Sequence, residues 1–413
     1  MPASPSTARA INDRLALHLL QQEGPLTAGQ LKNLTGLSRP TVADLVERLT
    51  ASGLIEVAGE SGEQRRGPNA KLYGIVAERA HLAALDVRTG GVAVLVSDLL
   101  GRVLAEASVP IGDDTGTGPA VEQAVGLVER AAKEAGADRL HSVGIGAPGL
   151  IDPVSGELRD STGLPEWHRR LMAALQEKFP EARIGVENET NLAALAEQRD
   201  GAARDRDTFV LLWLGLGIGA AVVLDGTLRR GVSGGAGEIG FLPVPGTPGL
   251  PSATDCDGGF HSVAGAAAVN ALAARHGVTA TPEGAEPHAA ALVREAVRRS
   301  QASRSRHPAP DADADADADA DAVRFLDELA DRVALGAAAV VSVLDPGCLV
   351  LAGEVGRAGA GTLAARVQHR LTRMSPLATE VRPSTLGGGA VLRGALLTAR
   401  DRAQDELFAP PER

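Results

Sequence analysis

Cysteine is nearly missing from these 413 residues: only Cys256 and Cys348 occur, far apart in the chain. Two such thiols imply no disulfide framework, and a reducing cytoplasm is the expected location. Lysine is scarce as well, at Lys32, Lys71, Lys133 and Lys178 alone, so positive charge rests on arginine, which reflects codon usage rather than function. Long apolar runs are lacking too. The most apolar uncharged stretch, Phe209 to Leu224 (FVLLWLGLGIGAAVVL), carries three glycines. It falls short of the roughly 20 apolar residues that a bilayer span requires. It reads as two buried strands about a glycine turn. The first residues lack the basic, then apolar, then small-residue order of a secretory signal, so neither export nor a membrane is expected.

Charge is the one abundant imbalance, at −11 net. Taken whole, that argues against nucleic acid, whose phosphates must be met by Lys and Arg. The excess is unevenly spread, however. Residues 1–78 hold eight basic and eight acidic residues, so the head is neutral and the entire −11 lies in the remainder.

The head shows helical periodicity. Ile11, Leu15 and Leu19 predict an apolar face on a first helix ending near Gly24. Thr27 and Gln30 form a capping-box pattern ahead of Leu31. After the turn TGLS, Ser38 caps a third helix with Val42, Leu45, Val46 and Leu49 on one face. Two strand-like runs, IEVAG and AKLYGIV, then flank the polar ESGEQRRGPN. This order predicts a winged helix-turn-helix over 1–78, with the third helix suited to the major groove of double-stranded DNA. Ser38, Arg39, Pro40, Thr41 and Asp44 are its candidate DNA-binding residues, with Arg65 and Arg66 in the wing for the minor groove.

From about residue 79 the texture becomes strand, turn, strand, helix, and the pattern restarts at TFVLLWLGLGIGAAVVLDG. The duplication predicts two α/β lobes around a cleft, over 79–205 and 206–413, with a C-terminal helix returning to the first lobe. The tract DADADADADADA (311–322) reads as the end of a solvated, disordered insert over about 301–322, since carboxylates without apolar payload cannot offset ordering entropy. It is no EF-hand, because Ala stands where Gly and Glu are needed.

Five motifs occur in order: GIGAPGLID (144–152), DSTGLPEW (160–167), VENETNLAALAE (186–197), LGLGIGAAVVLDGTLRRGVSGGAGEIGF (214–241) and LDPGCLVLAGEVG (344–356). Together with the head they resemble the ROK family of bacterial repressors and sugar kinases. That resemblance implies a two-lobed, actin-like ATPase (ribonuclease H-like) fold, hence an α/β chain with a winged head. It also implies a sugar shell at Gly149, Thr162, Asn188, Glu189 and Glu238.

Measured against that resemblance, the kinase apparatus is altered. The first phosphate loop of the family kinases reads Asp-x-Gly-Gly-Thr, whereas this chain has Asp86, Val87, Arg88, Thr89 and Gly90, with side chains where phosphate needs bare backbone. Leu216 stands in place of the hydroxyl of the second loop. Glu189 replaces the catalytic Asp, one methylene longer. Phe241, Gly258 and Val263 replace a His and two Cys of the family's structural zinc site, leaving Cys256 alone, and Gly265 aligns with a sugar-binding Glu. The expectation is a transcriptional regulator, most simply a repressor, binding an operator as a homodimer or homotetramer and sensing a sugar or sugar-derived effector. No catalytic residue, cofactor or metal is expected. The alternatives are an ATP-dependent sugar kinase, or a regulator that has lost its effector.

Overall fold

The structure, a computed structural model, describes residues 5–60, 70–112, 114–159, 164–247, 249–253, 257–305 and 313–409. Arg65, Arg66, Thr162 and Cys256 lie outside the described residues. Two compact units emerge: Met1–Ile145 with Glu166–Gly185 and Ala395–Arg413, and Gly146–Pro165 with Val186–Gly394. The head is grouped with the first lobe, and the chain passes into the second unit at Val186, ahead of the expected 205/206 boundary.

The first unit begins with α1 (Pro5–Glu23), β1 (Leu26–Thr27), α2 (Ala28–Thr35), α3 (Arg39–Ala51), β2 (Ile55–Glu60) and β3 (Lys71–Ile75). The strands form one sheet in the order β1-β3-β2, the fold of a winged helix-turn-helix. Thr27 accepts from Gln30 N at 3.2 Å while Gln30 Oε1 accepts from Thr27 N at 2.9 Å, completing the capping box. The apolar face of α1 differs from expectation. Ile11 and Leu15 are exposed, and Ala16, Leu17 and Leu20 are buried instead. Packing against α2, α3 and β3 selects the face, and the short run of apolar positions allowed either choice.

The first lobe continues with β4 (His81–Arg88), β5 (Gly91–Asp98), β6 (Val103–Pro110), α4 (Thr117–Glu134), β7 (Ser142–Ala147), α5 (Trp167–Lys178) and β8 (Arg183–Asn188). Its sheet order is β6-β5-β4-β7-β8. Buried Ala120, Ala124, Leu127 and Val128 recur at helical spacing on α4, which packs on β5, β6 and α5.

The second unit holds α6 (Glu189–Asp200), β9 (Phe209–Leu214), β10 (Ile218–Leu224), β11 (Thr227–Arg229), α7 (His261–Ala264), α8 (Ala266–Arg275), α9 (His288–Ser305), α10 (Asp313–Leu344), β12 (Cys348–Ala352), α11 (Gly353–Met374) and β13 (Glu380–Pro383). Helix α12 (Ala390–Leu407) begins in this unit and ends in the first. The sheet order, β11-β10-β9-β12-β13, repeats the third-second-first-fourth-fifth pattern of the first lobe. The duplication legible in the sequence is thus a duplication of topology. Along β9 the side chains alternate: Val210, Leu212 and Leu214 enter one core with Phe260, Phe325 and Leu329, while Phe209 and Leu211 enter another with Ala193 and Ala194 of α6.

The insert expected over about 301–322 is corrected in part. Residues up to Ser305 complete α9, and Asp313–Ala322 form the opening turns of α10, with Asp319 and Ala322 buried. Every second residue of the tract is alanine, the best helix former, and the helix propagates backward from the packed Phe325, Leu326 and Leu329. Residues 306–312 lie outside the description.

Candidate functional site

Helix α3 opens on a polar, solvent-facing turn. Ser38 Oγ accepts from Thr41 N at 3.3 Å and meets Thr41 Oγ1 at 2.8 Å, and Pro40 occupies the first turn, where no N–H is needed. Val42, Leu45, Val46 and Leu49 are buried as the periodicity requires, leaving Ser38, Arg39 and Pro40 exposed and Thr41 half-buried. Arg39 has no partner among the described residues. Asp44 is different: it is ion-paired with Arg48, which also donates through Nη2 to Asp13 Oδ1 on α1 at 2.6 Å. The bond to Asp13, with the nearby carboxylates, raises the pKa of Arg48. Arg48 therefore ties α3 to α1, and Asp44 helps to hold it.

The second unit assembles the polar cluster. Asn188 ends β8 and caps α6: its Oδ1 accepts from Thr190 N at 2.9 Å and Asn191 N at 3.3 Å. Its Nδ2 donates to the Gly149 carbonyl at 3.1 Å and to Glu189 Oε2 at 3.0 Å. One amide thus joins the Gly149 loop, the helix start and Glu189. Behind it, Glu187 is buried and accepts from Asn188 N, from Asn191 Nδ2 and, at 2.6 Å, from Arg230 Nε. Sequence reasoning missed Glu187 and Arg230. The only signals were a carboxylate one residue before Asn188 and an Arg pair, Arg229 and Arg230, at the end of β11.

Glu238 is brought to the same region by its loop. Gly234 and Gly237 have φ of +81° and +95°. A Cβ on either would come within 2.0 Å of the Ile151 carbonyl or 1.9 Å of the Ala220 carbonyl. Only glycine lets this loop lie backbone to backbone on both neighbours. Gly235 meanwhile packs beside Leu150 and Glu238. Glu238 itself is solvent-accessible at the rim, but the protein around it desolvates the carboxylate and raises its pKa.

The two glycine turns have structural occupants. Arg88 and Gly91 pair across a two-residue hairpin turn, and Arg88 Nε donates to the buried Asp86 Oδ2 at 2.9 Å, folding the guanidinium back on its own strand. Gly91 is required because a Cβ would lie 2.6 Å from the Val109 carbonyl. At the second turn a Cβ on Gly215 would meet Glu354 Oε2 at 2.4 Å, while Leu216 points into solvent.

In the stretch that aligns with the family's zinc site stands His261. It opens α7, half-buried, and its Nδ1 accepts from Ile218 N at 3.4 Å. Burial lowers its pKa, keeping the ring neutral at pH 7. The described thiol, Cys348, is buried, and burial raises its pKa. Among the described residues no helix is long and apolar enough to cross a membrane.

Residues 83–402 match the ROK family, and residues 11–67 match the MarR family. The chain is 26% identical over 240 residues to the xylose repressor of Caldicellulosiruptor bescii, covering 57% of this chain and 59% of that protein. It is 29% identical over 217 residues to the glucokinase of Thermotoga maritima, covering 52% of this chain and 65% of that protein. It therefore spans less than two thirds of the length of each. The crystal structure of a ROK family transcriptional regulator, a homolog of the E. coli MLC protein, superposes with a TM-score of 0.71 over 97% of this chain and 98% of that one, at 21% identity.

Proposed function

This chain belongs to the ROK family, and we propose that it is a cytoplasmic DNA-binding transcriptional repressor whose kinase-like body senses a sugar or sugar-derived ligand. The observation that carries this reading is the start of α3, where Ser38, Arg39 and Pro40 stand exposed on a helix whose opposite face is fully packed. Such a helix, in a segment matching the MarR family, suits the major groove. Arg39 and Thr41 read base edges, and the wing residues Arg65 and Arg66 reach the minor groove. Asp44 acts through Arg48 rather than by touching DNA. A homodimer or homotetramer would set two heads on a pseudo-palindromic operator.

Ligand is received by Gly149, Asn188, Glu189 and Glu238; Thr162, which belongs to the expected set, lies outside the described residues. Helix α12 is the route to the head. At Gly394 it lies against Leu192 of α6, where a Cβ would come 2.0 Å from the carbonyl oxygen. At its far end Asp405 pairs with Arg14 of α1, and Phe408 just beyond meets the His18 ring edge-on at 6.1 Å. A coupling of about 1–3 kcal/mol through such a helix changes operator affinity by roughly 5–150-fold.

A sugar kinase is the second reading, favoured by the 29% identity to a glucokinase and by a carboxylate at Glu189. Against it stand Arg88 and Leu216 at the two glycine turns. Sugar-dependent ATP turnover by the purified protein across hexoses and amino sugars decides: turnover establishes the kinase, and its absence leaves the repressor.

A further inference from the structure

Glu197, near the end of α6, is fully buried and held by neutral donors. Its Oε1 accepts from Ser384 Oγ, from Thr385 N at 3.1 Å and from Leu386 N at 3.2 Å. Its Oε2 accepts from Ala202 N at 2.6 Å and from Thr385 Oγ1 at 3.2 Å. Four of these five donors belong to residues 384–386, on the way from β13 into α12. Gly201 leaves room for the carboxylate, since a Cβ there would lie 2.1 Å from Oε2. A buried charge is costly unless donors converge on it, so residues 384–386 cannot drift from α6 without stranding the carboxylate. Two further contacts join the same helices: Arg393 Nε of α12 donates to Asp200 Oδ2 at 2.6 Å, and Gly394 brings α12 against the Leu192 carbonyl. Asn188 caps the other end of α6, about 14 Å from Glu197 at 1.5 Å per residue, where it meets Gly149 and Glu189.

We propose that Glu197 is a positioning residue for the response to ligand: its grip on residues 384–386 makes α6 and the opening turn of α12 move as one body. A shift of the α6 start on ligand binding then reaches α12 instead of being taken up in the connecting segment. This rests on the sugar-sensing reading above. The segment would otherwise yield, because Gly387, Gly388 and Gly389 stand directly before α12 and glycine admits many backbone conformations. Glu197 fixes the chain before these glycines, while Asp200 and Leu192 fix α12 after them. A ligand changes operator affinity only through a difference between two states of the body, and a joint free to rearrange would let α12 keep one position in both. None of the donors to Glu197 belongs to Gly149, Asn188, Glu189 or Glu238, so weakening the grip should separate response from binding.

The test measures anisotropy of labelled DNA from the flanks of the protein's own gene with the full chain, without sugar and with xylose, glucose or N-acetylglucosamine. Calorimetry follows sugar binding and melting verifies folding. Glu197→Gln sets an amide against the converging donors; Ser384→Ala with Thr385→Val removes two side-chain donors and leaves the backbone ones. A sugar that weakens operator binding about 5-fold or more in the natural protein should do so by less than about 2-fold in Glu197→Gln and by an intermediate factor in the double variant. Sugar affinity and sugar-free operator affinity should stay within about 2-fold, and Ser384→Thr, which keeps the hydroxyl, should keep the response. A purely structural carboxylate would lower melting and leave the sugar effect whole. An undiminished response in either folded variant, or a response lost only in step with sugar affinity, overturns the proposal while sensing stands. Should Glu197→Gln fail to fold, the double variant decides alone. Operator binding untouched by all three sugars in the natural protein overturns the sensing reading and this proposal with it.

Discussion

Arg230 Nε lies 2.6 Å from Glu187 Oε2 and is the charge that balances a buried carboxylate directly behind Asn188. Arg230→Ala leaves Glu187 with two neutral donors. A fully buried pair broken in this way costs several kcal/mol, but the Arg230 side chain is 47% exposed. The expected loss is therefore about 1–2 kcal/mol. Thermal melting should fall by several degrees, and sugar binding should weaken with it because Asn188 and Glu189 lose their backing. Unchanged melting and unchanged binding would remove Glu187 from the support of the site.

Arg39 and Arg48 sit on the same helix and should separate cleanly. If Arg39 reads a base edge as proposed, Arg39→Ala should cost about 1–3 kcal/mol of binding, so operator affinity drops roughly tenfold or more with melting unchanged. Arg48→Ala breaks the tie to Asp13 and should lower melting by about 1 kcal/mol of stability, with a smaller effect on DNA that follows from misplacement of α3. Equal effects of the two on DNA, measured by anisotropy at fixed salt, would contradict this division.

Glu238 provides a pH signature. Its raised pKa means the folded state holds the proton more tightly than the unfolded one. Its contribution to stability is therefore full below the ordinary glutamate pKa and is lost as pH rises through the raised value. Glu238→Gln should melt higher than the natural protein at about pH 7 and coincide with it below about pH 4. The same variant should bind sugar more weakly. A substitution that is neutral at both pH values would show that Glu238 is not desolvated.

Gly237→Ala tests how that carboxylate is positioned. The added Cβ would meet the Ala220 carbonyl at 1.9 Å in a conformation with φ of +95°. A loss of about 2 kcal/mol or more is expected, together with loss of sugar binding. Gly226→Ala is the control: it shares a positive φ but meets nothing within 4 Å, so only its backbone strain should register.

The legible features were those fixed by neighbours in sequence. Thr27 with Gln30, Ser38 at the start of α3, and the buried stripe Val42, Leu45, Val46 and Leu49 all follow from local chemistry. The two lobes were legible because the same strand pattern is written twice. Partnerships across long separations were not. Glu187 and Arg230 are joined over 43 positions, and Arg48 and Asp13 over 35, so no spacing rule links them. The Asp-Ala tract misled in the other direction, since its charge suggested solvation while its alanines and the apolar run behind it make a helix.

Repression relieved by a sugar is tested most directly by titrating DNA from the flanks of the protein's own gene with the purified chain, then repeating the titration in the presence of each candidate sugar. Specific binding in the nanomolar range, lost in Arg39→Ala and weakened about 5-fold or more by at least one sugar, is the expected result. Binding no tighter than to random DNA, or specific binding untouched by Arg39→Ala and by every sugar, would contradict it.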